Sequence, residues 1–117
     1  MILNDIKNAL KEFDENVFYG LADPKMKDEL WNYIVFDRSV KKISENKTGF
    51  STVYSVHIIR EEFIPEGLEE EVIKRVLAIP GMKLAGNDGE YVYVSKQNTD
   101  TVVEMFSIDF VKASKRV

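Results

Sequence analysis

Cysteine is absent from the 117 residues. The chain therefore holds no disulfide framework, no thiolate metal site and no cysteine nucleophile. A cysteine-free chain suits a reducing cytoplasm. Histidine occurs once, at His57. It stands among Val56, Ile58 and Ile59, a mid-strand setting where histidine is more often structural or interfacial than catalytic. No Gly-x-Ser-x-Gly elbow, dinucleotide fingerprint or phosphate-binding P-loop is present. Gly81, Gly86 and Gly89 are spaced as turn residues, not as a phosphate cradle. No run approaches the ~18 apolar residues of a membrane span. The first residues, Met1-Ile2-Leu3-Asn4-Asp5, carry an acid where a secretory leader carries basic charge, so no leader is expected. An excess of cations is missing too. Net charge is −4 and the isoelectric point about 5.1. General affinity for nucleic acid draws on clustered Lys and Arg, which this balance does not supply.

What is present fits one globular domain over residues 1–117. Apolar residues make up 44% and charged residues 31%, too apolar for a disordered chain. Ile2, Leu3, Ile6, Ala9, Leu10 and Phe13 recur at helical spacing, predicting an amphipathic helix over 2–13 with Asn4 or Asp5 as a possible cap. Val17 to Gly20 reads as a short strand. Ala22 to Leu30, with Pro24, reads as a loop with room for one helical turn. Trp31 to Arg38 reads as a strand with Trp31, Tyr33 and Val35 on one face and Asn32, Ile34 and Phe36 on the other. Gly49 to Phe63 reads as a long strand, apolar on both faces.

Pro65-Glu66-Gly67 breaks that strand and a second helix follows over 68–79, with its stripe at Leu68, Val72, Ile73, Val76 and Leu77. Glu69, Glu70 and Glu71 near its start and Lys74 and Arg75 near its end match the helix dipole. Consecutive helical residues splay by ~100°, so the three carboxylates do not converge on a metal ion. Strands are predicted over 82–85, 90–95 and 101–112, with turns at Gly86 to Gly89 and Gln97 to Asp100. The basic tail, Lys112 to Val117, is expected to fray. This order predicts an α+β fold: a mostly antiparallel or mixed sheet with both helices packed on one face.

Nothing in the chain points to an enzyme. Carboxylate pairs such as Glu61 and Glu62 fall on opposite faces of a strand, which defeats a paired acid and base. Trp31, Tyr33, Phe50 and Tyr54 offer flat rings, but cations do not interleave with them as on a nucleic-acid platform. No cofactor is expected. Two regions invite an assembly reading. Ser39 to Thr48 is either a solvated hairpin loop or an arm reaching a neighbouring subunit. In the last strand, Val103, Met105 and Val111 form a second apolar face, which either meets another subunit or lies under a helix. The candidate subunit-interface residues are therefore Lys41, Lys42, Glu45, Lys47, Phe50, Val103, Met105 and Val111.

The order of segments also carries a likeness. A helix leads to Tyr33-Ile34-Val35-Phe36, then to a charged hairpin and the strand Thr52-Val53-Tyr54-Ser55-Val56-His57-Ile58. A helix ends in Ile79-Pro80-Gly81, and Glu90-Tyr91-Val92-Tyr93 precedes the strand Phe106-Ser107-Ile108-Asp109-Phe110-Val111-Lys112. Over nearly its whole length this resembles the tail terminator, or tail-to-head joining, proteins of long-tailed bacteriophages. The likeness is one of arrangement; it brings no motif residues to transfer. It implies a homo-oligomeric ring, typically a hexamer, that caps the tail tube protein, ends tube polymerisation and meets a head–neck connector protein. DNA would pass through the lumen without specific binding, no membrane would be involved, and the protein would lie at the tail–neck junction of the virion after assembly in the host cytoplasm. Another head–tail connector or neck protein, and a cytoplasmic adaptor or ligand-binding domain, are the alternatives.

Overall fold

The structure, a computed structural model, describes residues 1–21, 31–43, 49–95 and 100–115. The expected 22–30 loop and the 97–99 part of the expected turn lie outside the described residues, as do Glu45 and Lys47. The element order is α1 (Ile2–Leu10), β1 (Val17–Tyr19), β2 (Tyr33–Ile43), β3 (Gly49–Glu61), α2 (Leu68–Leu77), β4 (Met82–Leu84), β5 (Glu90–Ser95) and β6 (Val102–Lys115).

The six strands form one mixed sheet in the order β1-β2-β3-β6-β4, with β5 also on β6. All pairs are antiparallel except β1 with β2. β6 is the most heavily bonded strand. It pairs with β3 from Val103 to Lys115, and its opposite edge carries β5 over 102–107 and β4 over 110–112.

Side-chain alternation sorts the sheet into two faces. Ile34 and Phe36 of β2, Tyr54, Val56 and Ile58 of β3, and Phe106, Ile108 and Phe110 of β6 lie under the helices. α1 contributes Ile6, Ala9 and Leu10, and α2 contributes Val72 and Val76, to the same core. Both helices therefore share one face, as their stripes predict. The core extends to the ends of the elements through an ion pair. Asp14, just past α1, meets Arg60 of β3 at 2.9 Å with both side chains nearly buried. Arg60 also donates to the Ile59 carbonyl at 2.8 Å. Glu104, the acid that interrupts the apolar face of β6, accepts the Ile64 backbone N–H at 2.7 Å and so holds the chain entering α2.

Several element limits differ from the sequence expectation. α1 starts at Ile2 with Met1 as its N-cap and no side-chain cap, so Asn4 and Asp5 lie within its first turn. It ends at Leu10, and residues 11–13 continue as a tight turn with Glu12 N–H on the Ala9 carbonyl and Phe13 N–H on the Leu10 carbonyl. α2 begins after Gly67, whose φ of 91° is a left-handed conformation that glycine adopts freely. The largest difference is in β2, which starts at Tyr33 and runs on to Ile43 instead of ending at Arg38. A bulge at Ser39, between Arg38 and Val40, carries the strand through the charged stretch.

With β3 and β6, that extension builds an arm beyond the helical layer. The radius of gyration is 15.4 Å and the longest extent 53 Å. A compact chain of this length has a radius of gyration of about 13 Å, so the arm accounts for a visibly elongated molecule.

Gly89 tests the packing of the turn before β5. A Cβ placed there would come within 2.2 Å of Phe106 Cζ, whereas one at Gly86 meets nothing within 4 Å. Gly89→Ala is expected to lower stability by about 1–3 kcal/mol, as overpacking does, while Gly86→Ala stays near neutral. Urea denaturation of both variants measures the difference.

Candidate assembly surface

Among the described residues one sheet face carries no helix, and this open face divides in two. At one end a small apolar cluster gathers Val35, Ile59 and Val103 with Phe18, Trp31, Tyr33 and Met105 around it. Phe18 and Tyr33 meet edge to face with centroids 5.9 Å apart. Among the described residues the buried Trp31 indole N–H has no hydrogen-bond partner. Burial pushes the Tyr33 phenol up from its ordinary value. Beside this cluster a hollow of about 280 Å³ is lined by Gly20, Tyr33, Asp37, His57 and Met105, among others.

The middle of the open face is polar. His57 of β3 places Nδ1 2.7 Å from Ser107 Oγ of β6 and Nε2 3.2 Å from Asp37 Oδ2 of β2. A carboxylate only accepts, so Nε2 carries the proton toward Asp37, and in the neutral ring Nδ1 accepts the Ser107 hydroxyl. One row along, Ser55 donates to Asp109 Oδ1 at 2.6 Å. The Ser-His-Asp contacts have the lengths found in acyl-transfer sites, but Ser107 stands mid-strand and β6 is bonded there on both sides. The row serves as a cross-strand hydrogen-bond ladder. Among the described residues no group of three His, Asp or Glu is placed to hold a metal ion.

The sheet edges are more unusual. Among the described residues β5 pairs only with β6, so its outer edge is open. All its residues are exposed, with Tyr91 at 47%, Val92 at 42%, Tyr93 at 59% and Val94 at 48%. Natural edge strands are normally short, charged or covered, and a bare apolar edge is a template for another strand. Tyr91 donates a short hydrogen bond to Glu69 of α2. That bond foremost, then burial and the charges of Glu69, Glu104 and Glu70, pushes Tyr91 up to about 12. Its bond to Glu104 likewise raises Tyr93. β5 thus carries an acidic surround on its helix-facing side.

The opposite edge is basic. β1 covers β2 only at Ile34 to Phe36, which leaves 37–43 open among the described residues. On the helix side of this stretch a groove of about 460 Å³ is lined by Arg38, Lys41 and Lys112 with Ile2, Thr52 and Tyr54. Among the described residues none of the three cations is paired with a carboxylate. Arg38 Nε donates to the Tyr19 hydroxyl at 2.9 Å, and the Lys41 ammonium lies over the Phe50 ring, 4.9 Å from its centroid.

The sequence candidates fall in two separate places. Lys41, Lys42 and Phe50 belong to the arm, and Val111 lies at its root on the open face, paired with Val53 and Lys83. Val103 and Met105 lie at the far end of β6. Among the described residues no helix covers them. Val103 is only 1% exposed within a single copy, whereas Met105 is half-buried. The β5 edge and the partnership of Arg38 with Lys112 escape the sequence reading. Alternating tyrosine and valine signals a strand without saying that the strand is outermost. No protein-family model matches the chain, and no curated protein matches it in sequence.

Two predictions follow from this geometry. Val103→Asp buries a charge and is expected to cost on the order of 3–5 kcal/mol, whereas Met105→Asp leaves the monomer folded; thermal denaturation separates them. For Tyr91, the folded value lies above the unfolded value of about 10. Its bond to Glu69 therefore contributes fully below pH 10 and is lost as pH rises through about 12. The ring is solvent-exposed, so water screens much of the effect. Glu69→Gln is expected to bring one phenol in a phenolate-absorbance titration back toward its ordinary value.

Proposed function

We propose that this chain is a structural assembly protein that works as a ring on the end of a bacteriophage tail tube. In that role it stops addition of tube protein and offers its other side to the connector of the filled head. The observation that carries this reading is the pair of open sheet edges, one apolar and exposed, the other on an arm that projects past the helices. Among the described residues each open edge leaves unpaired backbone N–H and C=O groups along its outer side, and strand addition is a direct way to bond them. Contacts that differ at their two ends build rings when the rotation closes. The segment order resembling tail terminators supplies the biological setting.

The ring's partners would be its own copies, the tube protein and a head–neck connector, with DNA passing through unbound. The acidic net charge favours passage over binding.

Electron microscopy of lysates after deletion of the gene from an inducible phage that carries it tests the reading. Overlong tails separated from DNA-filled heads are expected. Tails of normal length that fail to join heads would assign the protein to the neck instead, and intact infectious particles would remove the phage role.

A further inference from the structure

The two open edges differ in charge as well as in position, and this difference selects how copies would join. We infer that β5 of one copy adds to the open 37–43 edge of β2 in the next, so that the sheet continues head to tail through the basic arm. The inference rests on the assembly reading above and names the contact that would perform it.

Strand direction permits the join. β2 to β3, β3 to β6 and β6 to β5 are all antiparallel steps. After three reversals β5 runs opposite to β2. A neighbouring copy with its helices on the same side therefore presents β5 antiparallel to β2, the better-bonded of the two pairings.

Charge then decides among the possible edge pairs. β5 meeting its own copy would set Glu90, and the Glu69, Glu70 and Glu104 carboxylates around Tyr91, against the same groups. β2 meeting its own copy would oppose Arg38, Lys41 and Lys42 to themselves. Like charges directly across a strand pair destabilise it. Only the mixed pair sets acid against base. Glu90 and Lys42, paired with Ser107 and Ser51, lie on the open face, but the carboxylates around Tyr91 and the groove of Arg38 and Lys41 lie on the helix side, since Tyr91 pairs with core residue Phe106 and the groove includes Ile2 of α1. Those carboxylates and that groove would therefore meet on one side of the joined sheet.

The join is also staggered. Tyr93 and Arg60 both pair with Glu104, which sets the centre of β5 level with about residue 32, while the open edge centres on Val40. Allowing for the bulge, the offset is roughly seven residues, or about 24 Å at ~3.4 Å per residue. A fixed stagger between strands is what closing a sheet around an axis requires.

The test uses the full chain and two exposed charge-reversed variants. One is Arg38→Glu with Lys41→Glu; the other is Glu70→Lys with Glu90→Lys. Each is checked for folding by circular dichroism and then sized by light scattering on a gel-filtration column at low and at ~1 M salt, where the Debye length falls to about 3 Å. The wild-type chain is expected at a multi-subunit mass that falls toward the 13.5 kDa monomer as salt rises. Each variant alone is expected as a monomer. An equimolar mixture restores the multi-subunit mass, because alternating copies again set acid against base. Variants that each assemble like wild type would overturn the contact while leaving self-assembly standing, and a wild-type particle of two copies would overturn its head-to-tail character. A wild-type chain that stays monomeric at every concentration and salt would overturn both this inference and the ring.

Discussion

β6 is the constraint on which the rest depends. Its backbone bonds to β3 along nearly its full length, and β4 and β5 share its other edge. Its alternate side chains, Phe106, Ile108 and Phe110, floor the helical core. The two helices are only 9 and 10 residues long, about 14–15 Å each at ~1.5 Å per residue. β6 has 14 residues and spans roughly 48 Å at ~3.4 Å per residue. Such short helices cannot cover such a strand, so an uncovered arm follows from element lengths alone.

The same mismatch explains where the charges go. Beneath the helices, charged groups survive only when paired, as with Asp14 and Arg60, or when capping a backbone amide, as with Glu104 and Ile64. Past the helical layer that constraint lapses, and Arg38, Lys41 and Lys42 populate β2 freely. At the other end α2 turns its acidic first turn toward β5, where Glu69 accepts the Tyr91 hydroxyl. Helix-dipole preference places acids at that end of α2, and as a result opposite edges of the sheet carry opposite charge.

Much of this was legible in residue spacing. The stripes of both helices, the face assignment of Ile34 and Phe36 against Tyr33 and Val35, and the α+β class all follow from periods of 3.6 and 2. The extension of β2 was hidden because the Ser39 bulge breaks the alternation just where charged residues begin. The parallel pairing of β1 left no local mark, since pairing direction depends on where a connection returns. For the candidate surface, Lys41, Lys42 and Phe50 were accessible to composition-based reasoning. The nakedness of β5 was not. Tyr91 to Val94 have the composition of a covered strand, and only the topology puts them outermost. Val103 clusters with Val35 and Ile59 of the neighbouring strands, a grouping that spacing along one strand does not reveal.

The polar row on the open face bears on which surfaces copies would use. Asp37, Ser55, His57, Ser107 and Asp109 occupy the middle of that face, on the central strands, where an apolar layer from another chain would have to seat. Their hydrogen bonds are satisfied within one copy. Stripping water from the two carboxylates would still cost more than the few flanking apolar contacts return. Face-to-face stacking is thus disfavoured, and association is directed to the edges. In the ring we propose, a sheet closed through its edges turns one face inward. If that is the open face, its carboxylates would repel phosphates and its hydroxyls would stay hydrated. Such a lining would let DNA slide past without gripping it.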